Sequence, residues 1–465
     1  MINKLGEKFT RIYLKYMPNA FVFAIILTFI TALVTFIWLD VTPINIISGW
    51  YDGFFDLLAF GMQMVLILTT GFSIALSPLA KNIIDRLTKY IHKPNHVYFF
   101  VVLIGMLLSM VSWGWQVITC VLARELAIRV KGINYPFLIA IVYFSGMSWV
   151  TGLSSSIPLL LNTDKNFLIE SGVISGIIPT SMTLGSSLNL IMISVNVLIA
   201  PIIILLLAPK SSNNKELSNL LESKSIDQEL TVKQEADSFK LPFKALSDTF
   251  NNSSLLQLLI ILMGLTYIAY HFTMKGFDLN LNIMIFIFLI VGMFLHKTPM
   301  RYVVSMKRSC SNISGIIFQY PFYAGIMGIM LYTGLGERLA ELMASVATID
   351  SYPFYCYLTG GIINFAIPSA GGEFAVVGPS IINAIQELGA GLSEAEINAM
   401  ISRASLAVAY GETLTNLLQP FFLLIVLPVM AVGVKLQARD IMGYLVLPFI
   451  IFFIIHSLLL VYVPI

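Results

Sequence analysis

The run FVFAIILTFITALVTFIWL, residues 21 to 39, carries no charge and is as long as a helix must be to cross a hydrocarbon core of about 30 Å. Comparable runs recur near 54–79, 97–121, 181–208, 255–272, 278–295, 311–335, 404–432 and 441–463. Lipid cannot satisfy open backbone groups, so such runs cross only as helices or as a closed barrel, and their length selects helices. The first run lacks a small-residue cleavage site and reads as an anchor, not a signal peptide. With 57% apolar residues, 11% charged and a mean hydropathy of +0.86, the chain lies outside the soluble range. An all-α membrane protein, a polytopic helical bundle, is therefore expected.

Charge orients the runs. Lys4, Lys8, Arg11 and Lys15 face only Glu7 ahead of the first run, which places the N-terminus in the cytoplasm by the positive-inside rule, while Asp40 and Asp52 suit the outer side. Basic clusters at Lys81, Arg86, Lys89 and Lys93, and at Lys297, Arg301, Lys307 and Arg308, read as cytoplasmic. A formal charge of +2 calls for no nucleic-acid partner. Cys120, Cys310 and Cys356 are odd in number and scattered among apolar residues, so they read as packing residues, with no disulfide framework and no metal site.

A repeat divides the chain. YPFLIAIVYFSGMSWVTGLSSSIPLL (135–160) lies over YPFYCYLTGGIINFAIPSAGGEFAVV (352–377), with TGLSSS and PSAGGE at the same distance from each YPF. Downstream, TLGSSLNLIMISVNVLIAP (183–201) resembles YGETLTNLLQPFFLLIVLP (410–428) with a one-residue slip. Three parts follow: an N-terminal membrane half, 1–208, with a hairpin near 135–178; a polar solvated loop, 209–253; and a C-terminal half, 254–465, with a hairpin near 352–400. Each half is expected to carry a re-entrant hairpin and a transmembrane helix interrupted by polar residues.

Small polar residues form each tip, which is tolerable at membrane depth only inside protein or beside a wet cavity. Ser154, Ser155, Ser156 and Ser369 supply donors, Gly371 and Gly372 allow close backbone approach, and helices starting after each tip add partial positive charge, so these residues suit an anion. The bland alternative is a pair of interhelical turns outside the membrane. Glu412, Asn416 and Gln419 fall at i, i+4 and i+7 on one helical face beside Thr413 and Thr415, and Pro420 leaves the Asn416 carbonyl without its helical donor. The first half answers with Ser186, Ser187, Asn189 and Asn196. Helix–helix hydrogen bonding is the alternative for these amides. An ionisable group inside a span costs about 2.5 to 3.5 kcal/mol on insertion scales, so Glu412 reads as a proton carrier or cation ligand, or else as half of a buried ion pair with Arg403.

Weaker signals remain. His271 and His456 lie near span ends; Arg124, Glu125 and Arg129, and likewise Glu337 and Arg338, suit short amphipathic helices at the interface; Trp113 and Trp115 suit helix-end anchors. The string GGEF at 371–374 matches a nucleotide-cyclase label, but both its flanks are apolar spans and no soluble α/β domain surrounds it, so no enzyme is expected.

DGFFDLLAFGMQM (52–64), LHKTPM (295–300), QYPFYAGI (319–326), NFAIPSAGG (364–372), AYGE (409–412), QPF (419–421) and RDIMGY (439–444) closely resemble the bacterial short-chain fatty acid transporters, of the acetoacetate and butyrate type. That resemblance, which fails mainly in the polar loop, implies membership of the ion-transporter superfamily, with inverted hairpin-bearing repeats, a homodimer and an elevator motion. The span count puts four crossings between the tips, which makes the repeats parallel, so both arrangements stay open. Relatives carry an imidazole and an indole after the glycines, where this chain has Glu373 and Phe374.

The expectation is thus a secondary transporter of short-chain monocarboxylates in the cell membrane. Ser154, Ser155, Ser156, Asn189, Ser369, Gly371, Gly372, Asn416 and Gln419 would bind substrate, and Glu412, Thr413 and Glu373 would couple a proton or sodium ion, without a cofactor. Another organic anion, cation–proton antiport on the same fold, or a membrane-embedded enzyme or scaffold without flux are the alternatives.

Overall fold

The computed structural model describes residues 2–56, 58–87, 89–163, 166–170, 172–210, 212, 214–221, 230–276, 281–311 and 313–463. Helices run α1 Ile2–Tyr16, α2 Ala20–Leu39, α3 Pro43–Asp56, α4 Leu58–Ala75, α5 Pro78–Leu87, α6 Pro94–Val111, α7 Gln116–Arg129 and α8 Tyr135–Ser145. Then follow α9 Ser156–Leu161, α10 Phe167–Glu170, α11 Ser187–Leu207, α12 Leu217–Leu220, α13 Val232–Ser238, α14 Leu246–Asn251, α15 Ser254–Lys275 and α16 Leu281–His296. The chain ends with α17 Pro299–Cys310, α18 Ser314–Tyr332, α19 Leu335–Ser345, α20 Tyr352–Ile363, α21 Ala370–Leu388, α22 Glu394–Thr415, α23 Leu423–Met430, α24 Ala438–Ile441 and α25 Val446–Tyr462. Among the described residues there is no strand, only an isolated bridge from Leu221 to Val434.

Local chemistry sets the ends. The Asn19 side chain accepts from the Phe21 amide at 3.0 Å to start α2, and Asp40 closes it in the left-handed region at φ 50°. α15 starts on Ser253, accepting from the Leu256 amide at 3.3 Å, and stops at Gly276, φ 66°. Among the described residues, five helices are long and apolar enough to cross a membrane, and up to eight if each bent pair is one span. The protein is a multi-pass membrane protein.

Burial separates lipid-facing from central helices. Only 17% of the apolar window of α2 and 22% of that in α14–α15 is buried, against 83% for Tyr135–Leu161, which therefore packs inside protein. Close crossings need glycine: a methyl on Gly53 would run into Gly328 where α3 meets α18, and one on Gly411 would strike the Tyr357 carbonyl where α22 crosses α20.

Several runs are more broken than their sequence implies. The run 97–121 is two helices, α6 and α7, separated by a 3-10 turn at Trp113–Trp115; these tryptophans are half-buried at the junction of the two helix ends, with Trp115 stacked on Phe288 at 6.3 Å. The run 54–79 opens only at Leu58, after the separate helix α3. Of the run 278–295, residues 278–280 lie outside the described residues. The runs 404–432 and 441–463 bend by 48° and 41°.

Arg124, Glu125 and Arg129 do not form a separate interfacial helix. They finish α7, and the Arg124 guanidinium donates to the Met430 and Val432 carbonyls at 2.6 and 2.7 Å, capping the end of α23. His456 lies inside α25, not near its end, and is buried against Asn196 at 3.3 Å. Cys310 is exposed, unlike Cys120 and Cys356. The polar segment 209–253 is not wholly solvated, although residues 222–229 within it lie outside the described residues. Its helix α13 docks on α17: Glu235 pairs with Arg308, which also donates to the Leu230 carbonyl at 2.6 Å, and Val232 and Ala236 pack on Val304.

Candidate functional site

The second half's polar stripe sits on a break. α22 starts from a Ser393–Glu396 capping box and runs to Thr415; a 3-10 turn, Asn416–Leu418, and an extended Gln419 then lead to α23. Pro420, which has no amide proton, cannot continue the ladder. Glu412, Asn416 and Gln419 do not share one regular helical face, because the helix ends before Asn416, yet the turn still brings them together. Asn416 Nδ2 donates to Glu412 Oε1 at 3.0 Å; Asn416 Oδ1 accepts from Gln419 Nε2 at 2.9 Å and from Asn364 Nδ2 at 3.0 Å. Gln419 Nε2 also reaches the Asn364 carbonyl at 3.0 Å, and Asn364 Nδ2 the Thr415 hydroxyl at 2.8 Å.

The Asn416 carbonyl is not left open. Tyr143 donates its hydroxyl to it at 2.7 Å and to the Gln419 carbonyl at 2.8 Å, tying α8 of the first half to the break in the second. Thr413 donates to the Met147 carbonyl at 2.9 Å, a second such tie. Asn189 is occupied in the same sense: its Nδ2 donates to the Thr151 and Leu184 carbonyls and its Oδ1 accepts from Tyr410 at 2.8 Å.

The tips meet. Leu153 donates its amide to the Met110 carbonyl at 2.7 Å and Trp113 donates its amide to Ser154 Oγ at 3.0 Å, fixing the first tip on the break after α6. α9 and α21 then start from Ser155 and Ser369, N-cap residues whose side chains make no capping bond. A Cβ on Gly371 would stand 3.6 Å from Ser156 Cβ and Oγ, so the two tips lie in ordinary contact. The hydroxyls of Ser155 and Ser156 are buried without a partner.

Two acids complete the site. Glu412 and Glu373 are wholly buried, at 0% exposure. Among the described residues, Glu412 Oε2 and both oxygens of Glu373 have no hydrogen-bond partner, and neither do Asn364 Oδ1 and Gln419 Oε1. Arg403 does not pair with Glu412; its guanidinium donates to the Leu460 carbonyl. A carboxylate anion buried without a charged partner is costly, so each acid calls for a proton or a cation. Glu373 does lie in the first turn of α21, where the helix dipole adds partial positive charge.

A cleft of about 440 Å³, its open mouth included, lies between the two helix breaks and touches Trp113, Gln116, Tyr143, Thr413, Asn416 and Phe422. A smaller one of about 230 Å³ touches Tyr320, Tyr323, Ser369 and Phe421. Sequence reasoning missed Tyr143, Gln116 and Asn364. Ser109 and Gln116, i and i+7 in an apolar run, were the available signal for Gln116, whose Oε1 accepts from Ser109 at 2.7 Å.

Residues 1–463 match the family described as short chain fatty acid transporter. Proteins of Escherichia coli and Haemophilus influenzae, both named for short-chain fatty acid transport, are 35% and 34% identical over 447 and 450 residues, 96% of this chain and of each of them. Among solved structures, the YdaH transporter of Alcanivorax borkumensis is similar at a TM-score of 0.45 and 15% identity, over 96% of this chain and 98% of that one. MtrF of Neisseria gonorrhoeae, assigned to a class of antimetabolite efflux pumps, is similar at 0.38 and 14%, over 97% and 96%. Likeness at those scores carries no mechanism.

Proposed function

The chain belongs to the short-chain fatty acid transporter family, and from that premise we propose that it carries short-chain monocarboxylate anions, of the butyrate or acetoacetate kind, across the cell membrane together with a proton or sodium ion. It is a transport protein, not an enzyme. The observation that carries the coupling is the pair of buried acids, Glu373 and Glu412, with three carboxyl oxygens unpartnered beside a lattice of amides. An anion moving into a negative interior loses about 2.3 kcal/mol per 100 mV, so accumulation needs a compensating cation. Glu412 and Glu373 are its natural holders, with Thr413 fixing the break.

In this reading Ser154, Ser155, Ser156, Ser369, Gly371 and Gly372 receive the carboxylate where the tips touch, while Asn416 and Gln419 orient it and Asn189 holds the first tip to α22. Each half then works as a hairpin arm, near 135–178 and 352–400, against a broken helix, with the N-terminus cytoplasmic and two copies forming a dimer. The two acids also favour a second reading, cation–proton exchange without a carboxylate. Substrate protection separates them: with Cys120, Cys310 and Cys356 replaced by serine, Ser156→Cys and Gly371→Cys are each exposed to a thiol reagent. Butyrate should slow both modifications; unaltered rates in protein that transports butyrate would remove the tips from the site.

A further inference from the structure

A short-chain acid has a charged end and an apolar end, and the surroundings of the two helix breaks differ in the same way. On the tip side lie unpartnered hydroxyls and carboxyl oxygens. In the larger cleft the polar side chains, apart from the indole N–H of Trp149, are already used: Thr413 is bonded to Met147, Gln116 to Ser109 and Val142, Tyr143 to two carbonyls, and Asn416 to Glu412. Besides that single indole donor, what this cleft leaves for a ligand is its apolar wall, Trp113, Met147, Leu417, Phe422, Ile425 and Val426. Asn416 belongs to both the amide lattice and the cleft, so charged-end and apolar-end surroundings adjoin there. We infer that the alkyl tail of the carried acid lies in this cleft and that Phe422 sets the longest tail admitted.

Phe422 is held where it can do this. It is the N-cap residue of α23, directly after the break, so its backbone is fixed by the turn. Its ring packs edge-on to Phe421 at 5.3 Å, Trp113 at 6.0 Å and Tyr143 at 6.4 Å. Phe421 points to the other side, against Tyr323 at 4.9 Å and Tyr320 at 5.7 Å, and lines the smaller cleft. The aromatic pair thus stands between the two clefts, and Tyr143, anchored through its hydroxyl to two carbonyls, stiffens the wall on which Phe422 rests. A stiff apolar pocket discriminates by roughly tenfold or more for each methylene that it must exclude.

The inference rests on the carboxylate reading above, and its test keeps the two apart. Full-length protein in liposomes takes up labelled butyrate against unlabelled straight-chain acids from acetate to octanoate, and binding of the same acids is read from the fluorescence of Trp113 and Trp149, which line the cleft. Phe422→Ala should raise the preference for hexanoate over butyrate by about tenfold or more in both readouts. Ile425→Phe, which fills the cleft one turn further along α23, should shift the preference toward acetate; if Phe422→Ala does not fold, Phe422→Leu gives the same direction with a smaller shift. Met327→Ala, in the smaller cleft, should leave the profile unchanged. An unaltered chain-length profile in the Phe422 and Ile425 variants, or a shift produced by Met327→Ala instead, overturns the inference while the carboxylate reading stands. Wild-type protein that neither binds nor moves any of the acids defeats the carboxylate reading itself.

Discussion

Replacing Glu412 by Gln separates coupling from folding. The side chain keeps its shape, its remaining oxygen can still accept from Asn416 Nδ2, now 3.0 Å from Glu412 Oε1, and the new amide nitrogen takes the place of an oxygen without a partner. The substitution therefore adds at most one unpaired buried NH2 group, with two donors, at about 1 to 3 kcal/mol. Glu412→Ala strands Asn416 Nδ2 and opens a void as well, so it should be the less stable of the two. Transport is affected differently: an imposed tenfold cation gradient stores about 1.4 kcal/mol per ion, enough for about tenfold accumulation of an anion carried one for one. Wild-type protein should approach that ratio for labelled butyrate, counted above protein-free liposomes because the neutral acid crosses lipid unaided. Glu412→Gln should fall to a ratio near unity while retaining butyrate exchange in counterflow. Accumulation by Glu412→Gln equal to wild type, with proton and sodium gradients imposed in turn, would refute the coupling role.

Other consequences concern packing. Gly411→Ala should cost about 1 to 3 kcal/mol or abolish folding, because the Tyr357 carbonyl occupies the space a methyl needs, whereas Gly176→Ala, with nothing within 4 Å, should be silent; thermal aggregation in detergent compares them. Tyr143→Phe removes the donor shared by the Asn416 and Gln419 carbonyls, so it should cost about 1 to 3 kcal/mol and lower kcat more than it raises KM. Arg308→Ala frees α13 from α17 and should increase protease cleavage within 209–253, with a stability change of about 1 kcal/mol for this partly buried pair. Arg124→Gln, which keeps only part of the cap on Met430 and Val432, should loosen the end of α23 and speed amide hydrogen exchange there.

Much of the fold was legible because lipid leaves few options. The uncharged run 21–39 became α2 at Ala20–Leu39 almost residue for residue, since nothing but helix satisfies its backbone. Both YPF strings mark helix starts, Tyr135 and Tyr352, because proline fits the first turn. The stripe Glu412, Asn416 and Gln419 was visible as polarity in an apolar run, and it does gather. What could not be read is where distant groups satisfy the freed backbone. Tyr143 looks like one more aromatic in an apolar stretch, yet its partners are Asn416 and Gln419; Arg124 looks interfacial until the end of α23 arrives beside it. Distant partners likewise hold the break in the run 97–121, which reads as continuous: Ser154 accepts from the Trp113 amide and Leu153 donates to the Met110 carbonyl.

The central claim is cation-coupled carriage of a short-chain carboxylate, and the most direct measurement is uptake of labelled butyrate and acetoacetate by wild-type protein in liposomes under an inward proton gradient, an inward sodium gradient, and neither. Accumulation above protein-free liposomes under one of the two gradients, and only equilibration without them, is the predicted result. Equal, gradient-independent equilibration in all three conditions, or no uptake at all, would contradict it.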